Sequence, residues 1–293
     1  WPASAAIFFK PDGGTYEPGE TLVQADLAAS LERIANTAGA DFYTGRTAQA
    51  IAAEMNANGG LITLDDLAAY RPVWRQPALG TYRGHQIAAM PPPSSGGVHL
   101  IQMLNILERY PLAQYGANGA HSLHLMVEAM KLAYADRAQH LGDPDFWSVP
   151  MKGLTAKAYG DHLAGQIDPY RARPSKEINH GKHGPYESNE TTHFSVMDNQ
   201  GNVVSNTYTL NFSFGTGIVA AGTGILLNNE MDDFSAKPGT PNAYGLVGGE
   251  ANAIQGGKRP LSSMTPTIVF KDGKPLLATG TPGGSRIITM VLQ

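Results

Sequence analysis

Two adjacent threonines stand in the stretch ESNETTHFSV, residues 187–196, where a polar segment poor in apolar residues gives way to a strand pattern. A threonine hydroxyl is a poor nucleophile until a nearby base removes its proton. Breaking the bond between Glu190 and Thr191 would supply that base from the same residue, because a free α-amino group has a pKa of about 7.7 to 8.0, close to where a general base works best. Thr191 would then be both nucleophile and base. The uncut chain, in which the same nitrogen is an amide without basicity, would be a zymogen. β-Propensity alone also favours a Thr-Thr pair at the start of a strand, so the dipeptide needs a supporting neighbourhood.

The elements around it change character at this point. Upstream, ETLVQADLAASLERIANTAG and RTAQAIAAEMNANGG place Leu, Ile and Ala at three- and four-residue spacing and end at glycine, which predicts helices. Thr63 followed by Asp66 predicts a capped helix start, and Pro72 a stop. HSLHLMVEAMKLAYADRAQHLGD predicts the longest helix and TAKAYGDHLAGQI the last one before a segment, about 168–190, rich in Pro, Gly, His and charge and without periodicity. That segment reads as an exposed connection and a natural place for a nick. Downstream, TTHFSVMD, NQGN and VVSNTYTLN predict one β-hairpin, and MTPTIVF, KDGK and PLLATG a second. Between the hairpins, PGTPNAYGLVGGEANAIQGGKRP is too long for a simple connector and is a candidate functional loop. A helical half followed by a strand-rich half predicts a layered α+β or α/β architecture with helices covering sheet faces.

Composition narrows the classes. The 293 residues are 42% hydrophobic and 16% charged, as expected of a chain that buries a core, and the net charge of -4 with no Lys/Arg-rich block argues against nucleic-acid binding. There is no cysteine, which excludes disulfides, thiolate catalysis and Cys-ligated zinc. No run of about 18 apolar residues occurs, so no membrane span is expected. The opening at Trp1 and the closing GGSRIITMVLQ, which reads as a helix barely begun, suggest an internal piece of a longer precursor.

Long ordered blocks carry a resemblance over essentially the whole chain. ETTHFSVMDNQGNVVSNTYTLNFSFGTGIVAAGTGILLNNEMDDFSAKPG, KRPLSSMTPTIVFKDGK and TGTPGGSR, with GGLITLDDLAAY, MPPPSSGG and YADRAQHLGDPDF upstream, closely resemble the γ-glutamyltranspeptidase family of N-terminal nucleophile hydrolases. The resemblance implies a four-layer αββα sandwich, here an incomplete fragment. It also implies that 1–190 is the C-terminal part of a large subunit and 191–293 the N-terminal part of a small, catalytic one, intertwined in one domain. Self-cleavage would fall between Glu190 and Thr191, with Thr191 the nucleophile of processing and catalysis and Thr209 the second threonine that orients it. Asn211, Glu230 and Asp233 match the residues that hold the donor's α-amino group, and negative partners suit an ammonium. Ser262 and Ser263 match the pair that binds its α-carboxylate. Gly283 and Gly284 match the oxyanion hole, and Tyr244 the aromatic of a lid loop.

By the same resemblance the donor is glutathione or another γ-glutamyl compound, the acceptor an amino acid, dipeptide or water, and the location periplasmic or secreted, with no cofactor. The arginine that clamps the donor carboxylate in the family belongs to a part of the large subunit not represented here; Arg259 and Arg286 lie in matching blocks but not at its position. Two rivals stand beside this reading: a β-lactam side-chain acylase of the same family, and a non-catalytic module that is never processed. His180 and His183 lack a third ligand at metal spacing, so no metal is expected. Asn189 and Asn211 begin glycosylation sequons by spelling only.

Overall fold

The computed structural model describes residues 1–178, 191–243 and 245–293. Glu190, Tyr244, His180, His183 and Asn189, and with them the cleavage junction and the lid aromatic expected from the sequence, lie outside the described residues. In chain order the helices are α1 (Pro2–Phe8), α2 (Ala25–Asn36), α3 (Ala40–Thr44), α4 (Arg46–Asn58), α5 (Leu64–Ala69), α6 (Gly96–Leu107), α7 (Leu112–Tyr115), α8 (Ala120–His140), α9 (Met151–Leu154), α10 (Lys157–Ala164) and α11 (Ile287–Leu292). The strands are β1 (Ala78–Tyr82), β2 (His85–Ala89), β3 (Thr192–Met197), β4 (Val203–Tyr208), β5 (Val219–Ala220), β6 (Ile225–Leu226), β7 (Thr267–Lys271) and β8 (Lys274–Thr279). They fall into two compact units.

The first unit, residues 1–74 and 212–229, is helical apart from the β5–β6 ribbon. Ser30 donates to the carbonyl of Thr223 at 2.8 Å, and Ser4 to that of Gly217 at 2.8 Å, so helices α1 and α2 grip the ribbon through hydroxyls. The expected helix start at Thr63 is a complete capping box. Thr63 accepts from the Asp66 N–H at 3.2 Å, and the Asp66 carboxylate accepts from the Thr63 N–H at 2.8 Å.

The second unit, residues 75–211 and 230–293, is built on an antiparallel sheet in the order β1-β2-β7-β8. The sheet therefore takes two strands from each half of the sequence, where the pattern had put strands only in the second. β1 and β2 meet in register Tyr82↔His85 through a two-residue turn, Arg83-Gly84, both at positive φ (46° and 82°). That turn geometry matches strand twist, but Arg in the left-handed region gives no Asn-Gly or Asp-Gly signal. The β7–β8 turn, Asp272-Gly273, carries that signal at φ of 51° and 75°.

Helix α6 lies against β1, β2, α8, α10 and α11. It is buried nearly all round, Val98, Ile101, Met103 and Ile106 being at most 1% exposed. A helix with no polar face shows no amphipathic period. Its first turn needs glycine: a Cβ on Gly96 would stand 2.4 Å from the Met264 carbonyl oxygen, and one on Gly97 2.4 Å from that of Met90.

The β3–β4 hairpin, paired from Thr192↔Tyr208 to Met197↔Val203, packs on β7 and β8. Ser205 fastens it there, donating to the Thr279 carbonyl at 3.0 Å and accepting from the Thr267 N–H at 3.2 Å. Its turn is held by Asp198, which accepts from the N–H groups of Gln200 and Asn202 at 2.8 and 2.9 Å.

Candidate active site

The register of β3 with β4 decides where the two threonines meet. Thr192 faces Tyr208, so the next residue out on each strand brings Thr191 and Thr209 side by side at the hairpin's open end. The Thr191 hydroxyl donates to Thr209 Oγ1 at 3.3 Å. Thr209 Oγ1 in turn accepts the backbone N–H of Asn211 at 2.9 Å. Asn211 is buried and sits at φ 74°, a conformation that Asn tolerates better than most residues.

Thr191 lines a narrow cleft together with Thr209, Asn211, Asp233, Ser262, Ser263 and Gly284. Seven residues singled out in the sequence thus converge on one space. Glu230 stands outside that lining but is hydrogen-bonded to Asp233, on the short turn Glu230–Asp233. Burial pushes both carboxyls above their ordinary values; the Asp233 charge further resists ionisation of Glu230, while the hydrogen bond with Glu230 and the charge of Arg137 ease that of Asp233, so the pair favours holding its proton on Glu230. Such a site is poised to accept a cation, whose charge would let both acids ionise.

The serines are fixed from a distant part of the chain. Ser262 donates its N–H to the Pro93 carbonyl at 3.0 Å, its carbonyl accepts the Ser95 N–H at 2.9 Å, and its hydroxyl accepts the Met264 N–H at 3.0 Å. Behind them, Arg137 on α8 donates through Nε to Ser95 at 2.9 Å and through Nη2 to Ser263 at 3.1 Å. Arg137 is buried, which pulls its pKa below the ordinary arginine value. Sequence reasoning passed over Arg137 and Ser95, although both lie in the blocks MPPPSSGG and YADRAQHLGDPDF.

Gly283 and Gly284 have φ of 135° and 53° and open the turn that leads into α11. Only glycine adopts the first without strain. Gly284 lines the cleft and Gly283 stands beside it in the chain. The turn is held by the Arg286 N–H, which donates to the Gly283 carbonyl at 3.0 Å, and by Tyr134, whose hydroxyl donates to the Ser285 carbonyl at 2.6 Å. His193 braces the approach to it. Its Nδ1 lies 2.8 Å from Thr207 Oγ1 and its Nε2 3.0 Å from Ser195 Oγ. A Cβ on Gly280 would fall 2.1 Å from the ring, and burial lowers the imidazole pKa, so His193 serves as a neutral wedge between nucleophile strand and glycine turn.

Chemically, the cleft pairs an oriented hydroxyl with a glycine turn that can present backbone N–H groups. Its lining also includes a carboxyl, Asp233, and the serines Ser262 and Ser263, the latter hydrogen-bonded to Arg137.

The chain is similar to known proteins along its whole length. The family model described as Gamma-glutamyltranspeptidase matches residues 1–293. The Glutathione hydrolase proenzyme of Escherichia coli (strain K12) is 61% identical over 290 residues, covering 99% of this chain and 50% of its own length. The Acylase ACY 1 proenzyme of Pseudomonas sp. (strain SE83) is 43% identical over 292 residues, covering 100% of this chain and 50% of its own. Among solved structures, cephalosporin acylase from Bacillus halodurans is similar with a TM-score of 0.80 at 28% identity, over 98% of this chain and 49% of that one. The fold is the α/β fold of the N-terminal nucleophile hydrolases. Within that class the chain belongs to the γ-glutamyltranspeptidase family, and it spans about half the length of the curated relatives it matches.

Proposed function

We propose that the chain carries the nucleophile and most of the donor site of a self-processing γ-glutamyltranspeptidase. The observation that carries this reading is the single cleft in which Thr191, Thr209, Asn211, Asp233, Ser262, Ser263 and Gly284 meet. In the precursor, the Thr191 hydroxyl attacks the carbonyl of Glu190. The amide shifts to an ester, and water then releases residues 1–190 as part of a large subunit and 191–293 as part of a small one. Cleavage frees the Thr191 amine, which becomes the base for its own hydroxyl.

In turnover, the donor's α-ammonium meets Asn211, Glu230 and Asp233, and its α-carboxylate meets Ser262 and Ser263. The Thr191 hydroxyl attacks the γ-carbonyl while N–H groups of Gly283 and Gly284 stabilise the oxyanion. The proton passes through the α-amine to the leaving amine, and a γ-glutamyl ester remains on Thr191. Attack by an amino acid, dipeptide or water completes transfer or hydrolysis. Tyr244 would close the loop over this ester, shielding it from water. Glutathione is the proposed donor and the periplasm or exterior the proposed location, both on family resemblance.

The acylase relatives support a second reading, in which the donor is a glutaryl amide. A glutaryl chain has a carboxylate but no ammonium, so it would leave the Glu230–Asp233 pair without a cationic partner; this favours the amino-acid donor. Assaying the full-length precursor with γ-glutamyl and glutaryl anilides separates the two. The expected result is release from the γ-glutamyl compound; release from the glutaryl compound alone contradicts it.

A further inference from the structure

Arg137 is a buried cation with an unusual environment. The residue is 4% exposed, and none of the ion pairs among the described residues includes it. Its hydrogen-bond partners are two neutral hydroxyls, Ser95 and Ser263. The acid whose field reaches it is Asp233, which is neither hydrogen-bonded nor ion-paired to it; burial raises that carboxyl to about 6 and the Arg137 charge opposes the rise. A guanidinium taken out of water without a carboxylate beside it is costly. Such a charge is sustained if an anion arrives where it points.

The hydrogen bonds show where that is. Because Ser95 accepts from Arg137 Nε, its own proton is directed elsewhere, and it donates to the Ser262 carbonyl at 2.8 Å. Because Ser263 accepts from Arg137 Nη2, its hydroxyl proton is likewise turned away from the guanidinium, and Ser263 lines the cleft. One side chain therefore fixes the backbone of Ser262 through Ser95 and sets the donor direction of Ser263. The planar fork of arginine suits two divergent acceptors, which a lysine ammonium matches less well.

We propose that Arg137 is a positioning residue of the donor site, supplying from behind Ser263 the positive charge that answers the donor's α-carboxylate and aiming the Ser263 proton at it. This rests on the γ-glutamyl reading above. The cleft would then meet both charges of an amino-acid head group, acids on the ammonium side and a serine-relayed cation on the carboxylate side.

The test compares two donors in the full-length precursor: γ-glutamyl anilide and 4-aminobutyryl anilide, which keeps the amine and lacks the α-carboxylate. Arg137→Met is expected to lower kcat/KM for the first by about 10- to 100-fold, chiefly through KM, and to change the second by a clearly smaller factor. Arg137→Lys, which keeps the charge and loses the fork, should give a smaller loss with the same selectivity, and it serves if Arg137→Met does not fold. An equal loss on both donors, or no loss on either, would overturn the role given to Arg137 while leaving the γ-glutamyl reading intact. A wild-type precursor that processes itself and releases nothing from γ-glutamyl anilide would instead overturn that reading and this one with it.

Discussion

The two ends of the cleft are built in different ways. At the nucleophile end, Thr191 and Thr209 are 18 residues apart and belong to one hairpin, so a local register brings them together. At the recognition end, the Ser262–Ser263 pair is held by Ser95, 167 residues away from Ser262, and by Arg137, 126 residues away from Ser263. On the proposed function, chemistry is a local product of strand pairing, and recognition is a product of the assembled unit. The nucleophile end should therefore control the rate of bond-making. The recognition end should control which donor is held and how the site responds to pH.

Substitutions can break or sharpen that contrast. The largest effect is expected from Thr191→Ala, which removes the attacking atom. Turnover should fall by roughly 10⁶ in kcat, as when other acyl-transfer enzymes lose their nucleophile, and γ-glutamyl anilide hydrolysis measures it. Gly284→Ala comes next. A side chain at φ 53° is strained, and misaiming one oxyanion donor costs about 10²- to 10³-fold in kcat. Steady-state kinetics showing KM rather than kcat affected would remove that turn from the chemical step.

Thr209→Val, which deletes the hydroxyl that receives the Thr191 proton, should slow the chemical step by about tenfold with donor KM unchanged. A pure KM effect would move Thr209 to the recognition side. The smallest effect belongs to Glu230→Gln. Because burial raises the carboxyl pKa values of the Glu230–Asp233 pair, the folded empty site binds more protons than the unfolded chain above the ordinary glutamate value of 4.5. Stability should therefore fall as pH rises from there to about 8, where the folded Glu230 gives up its proton. Glu230→Gln should flatten that slope in calorimetric Tm measured across the window; an unchanged slope would show that the pair does not hold the proton.

This division also explains what the sequence made legible. The β3–β4 and β7–β8 hairpins could be read because their alternation and their Gly-containing turns are local signals. The capped start at Thr63 is another. The β1–β2 hairpin was missed because Arg83 occupies the left-handed turn position, and α6 because a helix buried on nearly every side has no polar face to mark its period. Those two elements supply the far strands of the sheet and, through the segment before α6, the Ser95 that holds the serine pair. The chemical identities of Thr191, Asn211, Asp233 and Ser263 came from family likeness in long blocks. Arg137 was invisible in a helix whose pattern explained it as one more polar position; only its depth and its two hydroxyl partners set it apart.

The most direct test is the intact mass of the full-length precursor followed over time beside Thr191→Ala. The proposed mechanism predicts two fragments meeting between Glu190 and Thr191 in the wild type and a single uncut mass in the variant. A wild-type chain that stays whole, or a variant that is cut at the same bond, would contradict Thr191 as the processing nucleophile.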